Sequence, residues 1–178
     1  MGMPASRYTQ RHGGGMGSVN NLRKQHRELI QLARELTPLL HAERLGHNCT
    51  SIRLRLSAFV RKLQVHIALE ERFVYGRFLQ HPDEAVVAMM MRHHHQTRLL
   101  GTFVTHYAQQ WTLSTDEAIE KGSMAFVEQT KSLFDQVWKR FHLEDEELYP
   151  LLGQIHPTSS GAWQLDSTIE SKEKDGAG

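Results

Sequence analysis

Apolar residues return at every third or fourth position through most of the chain, the period of an α-helix with one face turned inward. A first stripe of Val19, Leu22, Ile30 and Ala33 has His26 beside it, where a bundle helix would ordinarily carry another Leu. Ser18 is placed to cap this helix, Pro38 bends or ends it, and Gly46 stops it. A second stripe of Ile52, Leu56, Phe59, Leu63, His66, Glu70 and Val74 predicts a helix opening at Thr50 or Ser51, apolar inside until it reaches His66. In His81-Pro82-Asp83-Glu84 the proline and acids suit a first helical turn, and a third helix follows with Val86, Met90, Thr97, Leu100, Val104 and Trp111 inside. Ser114 and Glu117 have capping-box spacing and predict a fourth helix running to about Leu152.

No stretch alternates with period two for long enough to predict a strand. Four amphipathic helices joined by short turns predict an all-α, up-down-up-down four-helix bundle over residues 18–155. A Gly-rich tail at 1–17 and a polar tail at 156–178 are expected to be disordered.

Composition narrows the function classes. The 178 residues carry 21 basic and 20 acidic side chains for a formal charge of +1, so no global field draws nucleic acid or an anionic membrane. Arg53, Arg55, Arg61 and Lys62 have the spacing of a solvated helix face. No apolar run approaches the length that spans a bilayer and the N-terminus lacks an apolar signal core, which leads us to expect a soluble, cytoplasmic protein. Cys49 is the only cysteine, which excludes an internal disulfide and any multi-cysteine metal site, whereas there are twelve histidines.

Several inward positions are ionisable, and burying such groups costs several kcal/mol unless a partner or a metal satisfies them. His66 and Glu70 lie in the second stripe. In the third helix His93 is nearest the centre of the apolar arc and His94 lies at its edge. On a straight fourth helix Glu144 and Asp145 fall at the edges of the arc while Glu146 falls opposite. His142 and Glu146 therefore face outward together, and His142 could reach inward only if the helix rotates, bulges or tightens. The competing reading for Glu70 and Glu144 is a buried carboxylate forked by Arg140 or Arg77.

The chain also repeats itself. HIALEERFVYGRFL at residues 66–79 and RFHLEDEELYPLLG at 140–153 align Leu69-Glu70-Glu71 with Leu143-Glu144-Asp145, and His66 with Arg140. With QHRELI around His26 and RHHHQTRLL around His94, these segments resemble the hemerythrin-like, or HHE cation-binding, family of four-helix bundles. The resemblance implies a non-haem di-iron centre with bridging carboxylates. Carried over residue by residue, it assigns His26, His66 and Glu70, favours His94 over His93, makes Glu144 the second bridging carboxylate, and leaves His142 as a substitute for the ligand that Arg140 removes.

Imidazole and carboxylate without thiolate suit Fe, Mn or Zn, and the resemblance favours a di-iron centre. Arg98 stands four residues after His94, where oxygen-carrying hemerythrins have a further His, so the resemblance does not extend to an oxygen carrier. It implies a bundle that binds or senses O2, NO or redox state at two irons, or at one if Arg140 has dismantled half of the centre. No nucleophile and base pair points to an enzyme. The alternative is a metal-free bundle serving as a regulatory or protein-interaction scaffold. A small diatomic ligand, a protein partner and a homodimer are the expected partners; no nucleic acid or membrane is expected.

Overall fold

The computed structural model describes residues 14–75, 81, 83–157 and 163–165. Helix α1 spans Gly14–Leu36 and passes through two short 3-10 turns, Thr37–Leu39 and Ala42–Arg44, into α2 at Leu45–Glu70. Helix α3 spans Glu84–Tyr107, and the fourth rod is built from three successive helices: α4 at Asp116–Lys121, α5 at Ser123–Leu143 and α6 at Tyr149–Gln154. Helix α1 packs on α2, α2 on α3, α3 on α5, and α5 and α6 return to α1, closing a four-rod bundle. A three-residue antiparallel pair, β1 at Ile155–Pro157 and β2 at Trp163–Leu165, lies in the stretch expected to be a loose C-terminal tail. Among the described residues no helix is long and apolar enough to cross a membrane.

Three boundaries differ from expectation. Helix α2 opens at Leu45 rather than at Thr50 or Ser51, because Leu45 and Cys49 are buried and extend the stripe of Ile52 and Leu56 upstream, while Gly46 sits on the exposed side. Thr115, not Ser114, caps the fourth rod, its hydroxyl accepting from the Ala118 N–H at 3.3 Å; Glu117 pairs with Lys121 instead of folding back. The rod is also not one helix, since it breaks at Gly122 and widens into a π turn at Glu144–Leu148. A matching π turn, Glu71–Tyr75, ends α2. The caps that hold are ordinary ones: Asp83 accepts from Ala85 and Val86 at the start of α3, as the Pro-Asp-Glu turn predicts.

The core has two parts. A large apolar cluster runs from Leu36, Leu45 and Ile119 at one end to Leu29, Leu63, Leu100, Val137 and Phe141 near the other. A small cluster of Leu22, Val74, Tyr75, Met90, Leu148 and Tyr149 closes that other end. Between them every rod contributes polar side chains: His26 from α1, His66 and Glu70 from α2, His93 and Thr97 from α3, and Arg140 and Glu144 from the fourth rod, all 6% exposed or less. A fully buried Leu stabilises by about 1.5–3 kcal/mol, so interrupting four apolar stripes at one level has a substantial cost. Local packing alone gives no reason for it.

Candidate metal centre

The polar layer divides into two compartments that share Glu144. In the first, the imidazoles of His26 and His66 turn their Nε2 atoms toward each other at 3.2 Å. Glu144 Oε2 stands 3.0 Å from His26 Nε2 and 3.9 Å from His66 Nε2. The ligand atoms of these three side chains all lie within 4.8 Å of one another. The far side of each ring is held: His26 Nδ1 lies 3.2 Å from Asp145 Oδ2, and His66 Nδ1 lies 3.0 Å from Gln25 Oε1. An acceptor on Nδ1 keeps a ring proton there and leaves Nε2 as a lone pair, the arrangement that orients a metal-binding histidine. Tyr149 completes the compartment, donating its hydroxyl to Glu70 Oε1 at 3.0 Å and lying 3.2 Å from His26 Nε2.

Charges in this compartment are set by burial against a few partners. Burial alone would lower the His26 pKa, but Asp145 and Glu144 outweigh it and raise it. Burial wins at His66, which is lowered despite Glu144 beside it. Glu70 is pushed well above the usual carboxylate range by burial and then by the Glu144 charge. Burial would do the same to Glu144, but His26, His66 and Arg140 outweigh it and hold that carboxyl well below the usual range. The two buried carboxyls are thus pushed in opposite directions, Glu144 toward its anion and Glu70 toward its protonated form.

The second compartment is built around Arg140. Its Nε ion-pairs with Glu144 Oε1, Nη2 donates to Tyr75 Oη at 2.7 Å, and Nη1 donates to Gln96 Oε1 and to His93 Nδ1, each at 3.0 Å. A guanidinium has no acceptor, so His93 receives at Nδ1 and keeps its proton on Nε2, which faces Glu147 Oε2 at 3.3 Å. Burial and then the Arg140 charge lower the His93 pKa, in keeping with a neutral ring. The Tyr75 hydroxyl is anchored in turn by Thr97 at 2.9 Å.

Of the sequence candidates, the structure brings together His26, His66, Glu70, His93 and Glu144. It turns His93 inward and leaves His94, favoured by the resemblance, one-third exposed beside Glu71, because position 93 lies nearer the centre of the arc of Met90, Thr97 and Leu100. His142 stays outside, half exposed, stacked on Trp138 and paired with Glu146 at 3.2 Å. The helix does widen, but only from Glu144 onward, too late to turn His142 in. Arg77, the other cation considered for the buried carboxylates, lies outside the described residues. Asp145, Gln25, Glu147 and the two tyrosines complete the site without having been expected there; Tyr75 and Tyr149 end the two echoing segments.

The hemerythrin HHE cation-binding domain matches residues 17–152. The chain belongs to this family. No curated protein matches the chain, and no solved structure does. The hemerythrin-like assignment accounts for the layer that packing did not, because a cation-binding domain of this type needs anionic and imidazole donors inside its bundle. A direct test of fit comes from Glu144 Oε2, which is buried and receives no hydrogen bond although two imidazoles stand beside it. Leaving such an acceptor bare costs about 1–3 kcal/mol, and a cation at that point would remove the deficit. Donors to one ion at bond lengths of about 2.0–2.2 Å stand roughly 3–3.5 Å apart; the 3.0 and 3.2 Å found about His26 match this, and the 3.9 Å between His66 Nε2 and Glu144 Oε2 is longer. The first compartment fits a metal; the second holds a guanidinium.

Proposed function

We propose that this hemerythrin-like chain holds a redox-active non-haem iron at His26, His66 and Glu144 and uses the remaining coordination positions to bind or sense O2, NO or redox state. The observation that supports this reading is the convergence of two imidazole Nε2 atoms and one undonated carboxylate oxygen, with both Nδ1 atoms fixed from behind. An iron there would supply reversible electron transfer and an open position for a diatomic ligand.

The chain's own groups have separate parts in this reading. Asp145 and Gln25 orient the two rings. Glu70 receives the Tyr149 hydrogen bond, and burial with the Glu144 charge beside it favours its neutral form. Leu22, Val74, Met90 and Leu148 close the end of the bundle and limit water. Manganese and zinc satisfy the same donors, so the identity of the metal rests on loading experiments.

A metal-free scaffold is the second reading, and one observation favours it. His26 stands between two carboxylates, Nδ1 3.2 Å from Asp145 Oδ2 and Nε2 3.0 Å from Glu144 Oε2, so a protonated ring would serve there as an internal cation, with Arg140 neutralising the other Glu144 oxygen. Anaerobic loading with Fe(II), removal of free metal, elemental analysis and optical spectra before and after O2 or NO separate the two. Retained iron with a spectrum that changes on exposure supports the sensor reading. A protein that keeps no iron, manganese or zinc above the background of a His26→Ala, His66→Ala control sinks it.

A further inference from the structure

We infer that the second compartment is itself a cation site whose cation is supplied by the chain: the Arg140 guanidinium occupies it permanently, so that Glu144 bridges a guanidinium on one side and a single metal ion on the other. The inference rests, for the metal half only, on the function proposed above.

Four acceptors from three rods converge on Arg140. They are an imidazole nitrogen of His93, the amide oxygen of Gln96, the phenol oxygen of Tyr75 and a carboxylate oxygen of Glu144. Nitrogen and oxygen donors of this kind, meeting at a buried point, are what a hard or borderline cation requires. The two compartments also correspond through the sequence echo, which places Arg140 where the first copy has His66, Glu144 where it has Glu70, and Tyr149 where it has Tyr75. Each echo carries a π turn, Glu71–Tyr75 or Glu144–Leu148, that ends at or just before a buried tyrosine. The tyrosines then serve opposite compartments in the same way: Tyr149 meets His26 and Glu70, and Tyr75 meets Arg140 and Thr97. One half presents lone pairs to a shared point; the other presents lone pairs to a guanidinium.

Two consequences distinguish this from an ordinary buried ion pair. The centre is mononuclear by construction, since a second ion cannot enter while five N–H donors fill its place. The positive charge beside Glu144 is also fixed, since arginine does not deprotonate in proteins, whereas a second redox metal would change charge with each electron.

The test is the number of ions held by the full chain, with Co(II) and Fe(II) as probes, in wild type, Arg140→His and Arg140→Ala. The expected result is about one ion per chain in wild type and about two in Arg140→His, with the added ion bound more weakly because its donor set is improvised. Arg140→Ala keeps the acceptors and opens the space, so it too should gain a second, weaker ion, which millimolar guanidinium should displace while leaving the first ion bound. Two ions in wild type would overturn the inference, as would folded variants that gain none. Should wild type bind no metal, the proposed function fails, and a gain from none to about one in Arg140→His still decides that the guanidinium was holding a cation site. Should Arg140→His fail to fold, the guanidinium competition in Arg140→Ala decides alone.

Discussion

The two halves of the polar layer differ at one aligned position, His66 against Arg140, and everything around that position follows it. Around His66 the neighbours are arranged to leave lone pairs unshared: acceptors hold each Nδ1, and Glu144 Oε2 is undonated. Around Arg140 three neighbours, His93, Gln96 and Tyr75, accept from the guanidinium. Breaking a buried ion pair by removing one partner costs about 3–5 kcal/mol, so the Arg140 half, whose Nε meets Glu144 as an ion pair and not as an aligned hydrogen bond, is held together by its own charges. The His66 half is not. Two copies of one segment have thus produced a compartment that waits for a partner and one that already has it.

The largest effect that separates them is expected from the histidines. His66→Ala should weaken metal binding beyond the ten- to hundredfold typical of losing a supporting residue, while His93→Ala should change it by only about a few-fold. A chelator competition on both variants measures this, and equal losses would break the comparison by making one shared site of the two compartments. A smaller loss, about 10–100-fold, is expected for Asp145→Ala, because His26 would keep its ring but lose the acceptor that orients it. An unchanged affinity in that variant would mean that Phe141, stacked on His26 at 3.8 Å, suffices to hold the ring. The smallest effect belongs to His142→Ala. Its imidazole is half exposed and pairs only with exposed Glu146, so affinity should stay within about twofold. A larger loss would show that the fourth rod rotates when metal arrives.

Much of this arrangement was legible in the chain. His26 beside the first apolar stripe, and His66 and Glu70 within the second, each occupy a place where packing would put an aliphatic residue; such substitutions are visible without coordinates. Glu144 was legible through its alignment with Glu70, even though a straight helix puts it at the edge of the arc. What could not be read was the π turn. A straight projection carries the apolar arc from Phe141 to Leu148 and leaves Tyr149 aside, whereas the widened turn buries both Leu148 and Tyr149. The same turn holds Asp145 against His26 and Glu147 against His93. A π turn leaves no mark in hydrophobic periodicity except a shift of phase, and the shift here is masked by a run of four acids. Periodicity leaves His93 and His94 both open, and the resemblance points to His94, the one that the bundle leaves one-third exposed.

Cys49 has a use that its chemistry alone would not indicate. It is 3% exposed, its thiol donates to the Asp116 carbonyl at 3.7 Å, and burial pushes its pKa up. It lies 17 residues before His66 on the same helix, roughly 25 Å along the axis. As the only thiol in the chain, it reacts with an alkylating reagent only in those moments when the far end of the bundle opens. Its labelling rate therefore times the breathing of one end while the other end is loaded or stripped. The ratio of those two rates measures how far along a helical rod the order imposed by an ion is felt, and whether the bundle opens as one cooperative body or as two.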